Sequence, residues 1–241
     1  MERVLATGAL DTTKPAATQE DLSSGGDLVL VTVNGSITTT VSTGEVKSAA
    51  DVLLSSGESN ETTVSDVVLN AAVSSTGGHI SILSKDGIKL GDATADITTG
   101  DTTKVSRTVD VQADAGVEMV DGAVITSGNA TDGWGAVRIQ ALGGDVTVGE
   151  IAAGTASVAL LASGSVLDLG VDTSTVDVTA GGLLVTAGTA IGSSGNHLET
   201  AVGTLSTKST TGASFVTESD AVTVGSVSVT ASRVNSAGVA T

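Results

Sequence analysis

The chain has 241 residues, with 31 Gly, one Pro, no Cys, one Trp, one Phe and no Tyr, and a formal net charge of −17 from 10 Lys plus Arg against 27 Asp plus Glu. Hydrophobic residues make up 40 %, nearly all Val, Ala, Leu and Ile, which is too apolar for a disordered chain and too poor in aromatics for an ordinary globular core. The acidic balance argues against nucleic acid and anionic lipid surfaces, and the missing Cys removes disulfides, thiolate nucleophiles and Cys-ligated metals.

Residues 1–26 form a polar lead, in which Pro15 and Gly25-Gly26 interrupt regular structure; they are expected to be a flexible arm or cap. No secretory leader and no apolar run of about 18 residues is visible, so no membrane insertion is expected. From residue 27 the texture changes to short runs alternating apolar and polar, separated by Gly, Ser, Asp and Asn. In Val109-Asp110-Val111-Gln112-Ala113, the apolar residues face one way and Asp110 and Gln112 the other. The same grammar returns in Val137-Arg138-Ile139-Gln140-Ala141 and in Val176-Asp177-Val178-Thr179-Ala180.

Taking the first inward residue of each unit gives Val29, Val52, Ile80, Val109, Val137, Val158, Val176, Leu198 and Val216, at steps of 18 to 29 residues. A period near 20 with tolerated insertions marks a solenoid, in which no turn buries its own apolar face alone. Asn34-Gly35, Asp86-Gly87 and Asp121-Gly122 are hairpin signals that a β-sandwich would also use. The lack of large core residues favours the narrow interior of a solenoid. The expected fold is all-β: a right-handed parallel β-solenoid of about nine irregular coils over residues 27–231, followed by a tail or a continuation into further repeats over 232–241. Nine coils at a spacing of about 4.8 Å make a rod about 40 Å long.

The run Gly135–Ile151 and the run Val176–Val185 resemble the repeats of filamentous-haemagglutinin-type exoproteins and of giant bacterial surface proteins like them. The resemblance extends over about residues 27–231. It implies a right-handed parallel β-helix that is exported and serves as an adhesin, a stalk or a cell-surface filament.

Several residues are candidates for chemistry. Asp92, Asp96 and Asp101 share a Gly- and Thr-rich loop of the kind that holds Ca²⁺ through hard oxygens, although the spacing matches neither the EF-hand nor the nonapeptide calcium repeat, and a solvated corner is the plainer reading. Trp134, in a loop-like stretch, offers a platform for a sugar face or a partner; alternatively it folds over a coil corner. Outward carboxylates at Asp110, Glu118 and Asp177 suit a β-helix glycosidase or lyase but show no visible cluster. His79 and His197 read as exposed corner residues, and Phe215 as a cap on the thin end of the core. In the coil alignment Asp110 stacks beside Arg138 and Lys89 beside Glu118, which fixes register rather than making a site. Thr pairs recur without registered rows, which argues against ice binding.

The functional expectation is a non-enzymatic structural or adhesive segment of a large bacterial cell-surface or extracellular filament protein, with no cofactor. Its partners are expected to be further repeats or copies of itself end to end, together with cell-surface glycans. The alternative is a β-helix carbohydrate-active enzyme or carbohydrate-binding module.

Overall fold

The computed structural model describes residues 19–59, 63–100, 106–170 and 175–241. Among them every regular element is a strand, and no helix is present that is long and apolar enough to cross a membrane. The strands stack in parallel as a β-solenoid of about seven turns, close to the expected number. A typical coil carries a five-residue strand such as Val109–Ala113, a Gly-containing corner, a short strand such as Val117–Met119, and a third strand such as Ile97–Thr99 that leads into the next coil. Repetition therefore makes three sheets, here named the long-strand, short-strand and third sheets. Toward the C-terminal end the third and long strands fuse into the continuous strands Val178–Ala187 and Leu198–Ser209.

Alternation explains the interior. In the long-strand sheet Val52, Ile80, Val109, Val137 and Val158 stack in register, and Leu54, Ile82, Val111, Ile139 and Leu160 form the next column. All ten are fully buried. Branched side chains fill the narrow core in layers, and neither Trp134 nor Phe215 contributes to it.

The structure corrects the sequence alignment at both ends. Leu28, not Val29, is the inward partner of Val52, and Val29 is exposed. Near the other end the column continues through Leu183 and Leu205 rather than Val176 and Leu198. Leu198 and Val216 do stack on each other, but along the third-sheet side of the coil. The first rung begins at Leu22, inside the expected arm, where Leu22–Ser24 pairs with Val46–Ser48.

Coil corners interrupt the backbone ladder, and side chains complete it. Asp27 Oδ1 accepts the amide N–H of Asp51 (3.2 Å), Asp51 Oδ1 that of His79 (2.7 Å), and Asp66 Oδ1 that of Gly87 (2.8 Å). Asp96 does the same for Val124 (2.9 Å), Asp145 for Ser165 (2.6 Å) and Asp177 for Glu199 (2.7 Å). Each carboxylate thus caps the residue at its own position, or nearly so, one coil on. Buried hydroxyls serve the carbonyl side: Ser48 donates to the Gly26 carbonyl (2.6 Å), Ser75 to that of Ala50 (2.7 Å) and Ser127 to that of Gly135 (2.5 Å). This corner chemistry gives these six Asp and three Ser a structural task.

The C-terminal segment departs most from expectation. Val227–Ser232 is not a final coil, and residues 232–241 do not trail away. After the last strand, Thr223–Val224, the chain runs back as an extended strap over the outer face of the long-strand sheet. Val227 lies at Gly182, Val234 donates its N–H to Ser81 Oγ (2.8 Å), and Gly238 packs on Asp27. From Val227 to Val234 is seven residues, about 23 Å of extended chain, against about 19 Å for the four coil spacings it crosses. The strap ends in a small hairpin, in which Arg233 and Thr241 exchange backbone hydrogen bonds and Gly238 takes φ +76°.

One prediction follows from the close approach of coils. A Cβ at Gly135 would lie 1.6 Å from the Arg107 carbonyl oxygen of the preceding coil. Gly135→Ala should therefore destabilise the rod by about 3 kcal/mol or more, read as a lowered urea midpoint with little change in slope.

Candidate functional site

Each candidate residue from the sequence now has a place. Asp92 is partly exposed and caps its own turn, accepting from the Thr94 N–H (2.9 Å) and hydroxyl (2.7 Å), which hold its carboxyl below the usual carboxylate range. Asp96 is occupied in capping Val124 of the next coil, and Asp101 lies outside the described residues. The two described members thus have separate structural tasks.

Trp134 closes a hairpin in which Val124–Asn129 pairs antiparallel with Gly133–Trp134. Asn129 organises the turn by accepting from the N–H groups of Thr131 (2.8 Å) and Asp132 (3.0 Å). The indole is half-buried and lies on Gly154 of the next coil, where a Cβ would come within 2.1 to 2.4 Å of three ring atoms. Gly154 adopts φ +49°, so both space and backbone conformation call for glycine there. The ring therefore covers a coil corner. At the far end His197 Nδ1 pairs with the Thr217 hydroxyl (2.8 Å), and its ring stands 5.6 Å from that of Phe215.

The carboxylates considered for sugar chemistry lie on different faces. Glu118 projects from the short-strand sheet and pairs with Lys89 (2.6 Å), in the register read from sequence. Asp177 sits at a corner of the third sheet. Asp110 does stack beside Arg138, which grips it through Nε and Nη2 at 2.8 Å each. It is not a solvated surface group, however: it is fully buried beneath the strap, where Arg233 Nε adds a third contact at 2.7 Å. Bonding to Asp110 raises the Arg138 pKa further.

His79 occupies an Asp position in a corner ladder. Asp27 caps Asp51, Asp51 caps His79, and His79 Nδ1 in turn accepts the Thr108 N–H (3.1 Å), with the Thr108 hydroxyl 2.8 Å away. This task requires a neutral ring with Nδ1 unprotonated. Burial lowers the His79 pKa; the nearby Asp51 charge opposes this and Arg107 reinforces it.

A carboxylate cluster that the sequence reading missed is the best-formed polar assembly among the described residues. Asp177 and Glu199 hold the same position on successive coils and are 3 % and 7 % exposed. Asp168, at the end of the short strand Val166–Asp168, joins them, and one carboxylate oxygen from each lies within 4.8 Å of the others. Asn196 Nδ2 fixes the adjoining loop by donating to the Asp168 (3.1 Å) and Gly170 carbonyls. A small cavity of about 50 Å³ is lined by Asp121, Glu150, Asp168 and Asp177. In donor type and spacing these are the residues that would hold a hard divalent cation such as Ca²⁺. Asp177 was singled out as an outward carboxylate; its neighbours were missed because Glu199 lies 22 residues on, in the next coil, and Asp168 nine residues back, on a different strand of the same coil.

The short-strand face carries another recess, an open groove of about 410 Å³. Gly87 and Gly116 form its floor, and Asp66, Lys89, Glu118 and Asp145 stand around it.

Two measurements check these assignments. Trp134 is the only Trp, so intrinsic fluorescence reports on its corner alone; Gly154→Ala should red-shift the emission by lifting the indole into water. His79 should make stability depend on pH. With its folded pKa below the ordinary 6.5, its contribution is complete above that value and is lost as pH falls through the folded pKa. Denaturant titrations from pH 8 to pH 5 should show this loss, and His79→Asn, which keeps an acceptor without the titration, should reduce it.

In comparisons with known proteins, no family model, no curated protein and no solved structure matches the chain.

Proposed function

We propose that the chain is a structural or adhesive segment of a large bacterial cell-surface or extracellular protein, a stiff acidic rod joined end to end to further coils or to copies of itself. The observation that carries this reading is the pair of open rungs. Among the described residues the strands Leu22–Ser24, Leu28–Thr32 and Ile37–Thr38 have a ladder partner on one side only, as do Val216–Glu218 and Thr223–Val224 at the other end. At the first rung Leu22, Leu30, Ile37 and Val46 line a mouth of about 280 Å³ into the core. Another coil seated there would bury Leu22, which is exposed, and the rest of half-buried Leu30, and would pair the edge amides. The net charge of −17 opposes side-by-side association without blocking the ends.

A second reading rests on the short-strand groove, whose glycine floor and ring of polar groups suit a glycan chain lying along the rod. Thr147→Arg, which fills that groove from its open side, should abolish any binding on a glycan array.

Negative-stain electron microscopy across a concentration series tests the first reading. Filaments with a repeat of about 35–40 Å are expected, that being the length of the coil stack. Isolated short rods at every concentration would reject end pairing and shift attention to the lateral faces.

A further inference from the structure

We propose that the C-terminal strap is a latch that couples the two ends of the rod, turning a stack in which each coil touches only its neighbours into a closed circuit of contacts. In an open solenoid, stability is a sum over neighbouring coils, and the terminal coils fray before the middle. The strap changes that connectivity. It leaves the last described rung, where Thr223–Val224 pairs with Thr204–Leu205, and reaches the first at Asp27.

Its attachments are specific and distributed. The Ser232 N–H donates to the Thr108 hydroxyl (3.0 Å), Arg233 Nε to Asp110 (2.7 Å), Arg233 Nη2 to Gln112 Oε1 (2.7 Å) and the Val234 N–H to Ser81 (2.8 Å). These contacts join residues 121 to 153 positions apart. Val234 is fully buried against a sheet face that would otherwise meet water. The approach is amphipathic: Val227, Val229 and Ala231 are partly covered, while Ser226, Ser228 and Thr230 are exposed.

The ion pair is arranged for reversible closure. Asp110 keeps both contacts from Arg138 when Arg233 leaves, so opening the strap does not strand a buried charge. The strap is therefore an added clamp on a rod that is already paired coil to coil, and its effect should fall on the ends.

Hydrogen exchange on the full-length protein tests this. Arg233→Ala should raise amide exchange at least tenfold in Leu28–Thr32 and Leu198–Ser209, with less than a threefold change in Val137–Ala141. A second variant works in the opposite direction. A Cβ at Gly238 would lie 3.1 Å from that of Asp27, and the chain has no other Cys. Asp27→Cys with Gly238→Cys, oxidised by glutathione disulfide, should therefore slow exchange at both ends until the bond is reduced. Equal acceleration of all strands by Arg233→Ala would overturn the latch, because the arginine would then be an ordinary stabilising contact. No change in any strand, or a closed disulfide that leaves the ends as fast as before, would overturn it as well.

Discussion

In a stack of parallel coils spaced about 4.8 Å apart, each backbone amide of a strand finds its acceptor on a neighbouring coil. The straight strands meet that requirement by themselves; the corners do not. Where the chain turns, N–H and C=O groups rotate out of the ladder, and a buried unpaired group costs about 1–3 kcal/mol. Asp27, Asp51, Asp66, Asp96, Asp145 and Asp177 answer on the donor side, and Ser48, Ser75 and Ser127 on the acceptor side. Six of the 27 Asp plus Glu are thus part of the architecture. A short carboxylate reaches an amide one coil on, whereas a longer side chain would overshoot it.

That solution accumulates negative charge, and the few cations are placed where they offset it across coils. Lys47 reaches Asp21, Lys85 reaches Asp114, Lys89 reaches Glu118 and Arg138 reaches Asp110, each on an adjacent coil. The first three are solvent-accessible and contribute little to stability. The pair at Asp110 differs because the strap excludes water from it, so its partners are obligatory rather than incidental. At Asp168, Asp177 and Glu199 three acids from neighbouring corners converge, one carboxylate oxygen of each lying within 4.8 Å of the others. Here corner capping also produces the donor set of a cation site.

The coil grammar was legible because it repeats. Val109 to Ala113 and Val137 to Ala141 alternate so regularly that their register, and with it the Asp110–Arg138 and Lys89–Glu118 pairs, could be read from spacing. Misreadings arose where the period-two signal is ambiguous. At the first strand Leu28, Val29, Leu30 and Val31 are all apolar, so alternation does not choose a face. Near the end Gly181-Gly182 joins two strands into one, and the column slips to Leu183. The strap is the instructive failure: Val227-Ser228-Val229-Thr230 alternates for the same reason as a coil strand, having one face covered and one wet, yet it lies across the sheet instead of within it. Local pattern records that a face is buried and is silent about what buries it. The carboxylate cluster was hidden for a related reason, since its members come together only once the coil register is known.

The strap also bears on which surface is open to a partner. Its passage over Ser81, Asp110 and Gly182 covers the centre of the long-strand face. The outward column of the third sheet is hydroxyl-rich through Ser74, Thr98 and Thr126 and resumes at Thr179, but Ala152 breaks it. A single interrupted column offers no regular row of hydroxyls. The short-strand face is left, where Gly87 and Gly116 remove two successive side chains between Asp66 and Asp145 and so create relief on an otherwise flat wall. A glycine here has no side chain with which to cap the corner amide of the next coil, a local sacrifice of the device used at the other corners. That relief is what the proposed glycan reading rests on, as the proposed end-to-end reading rests on the one-sided terminal rungs.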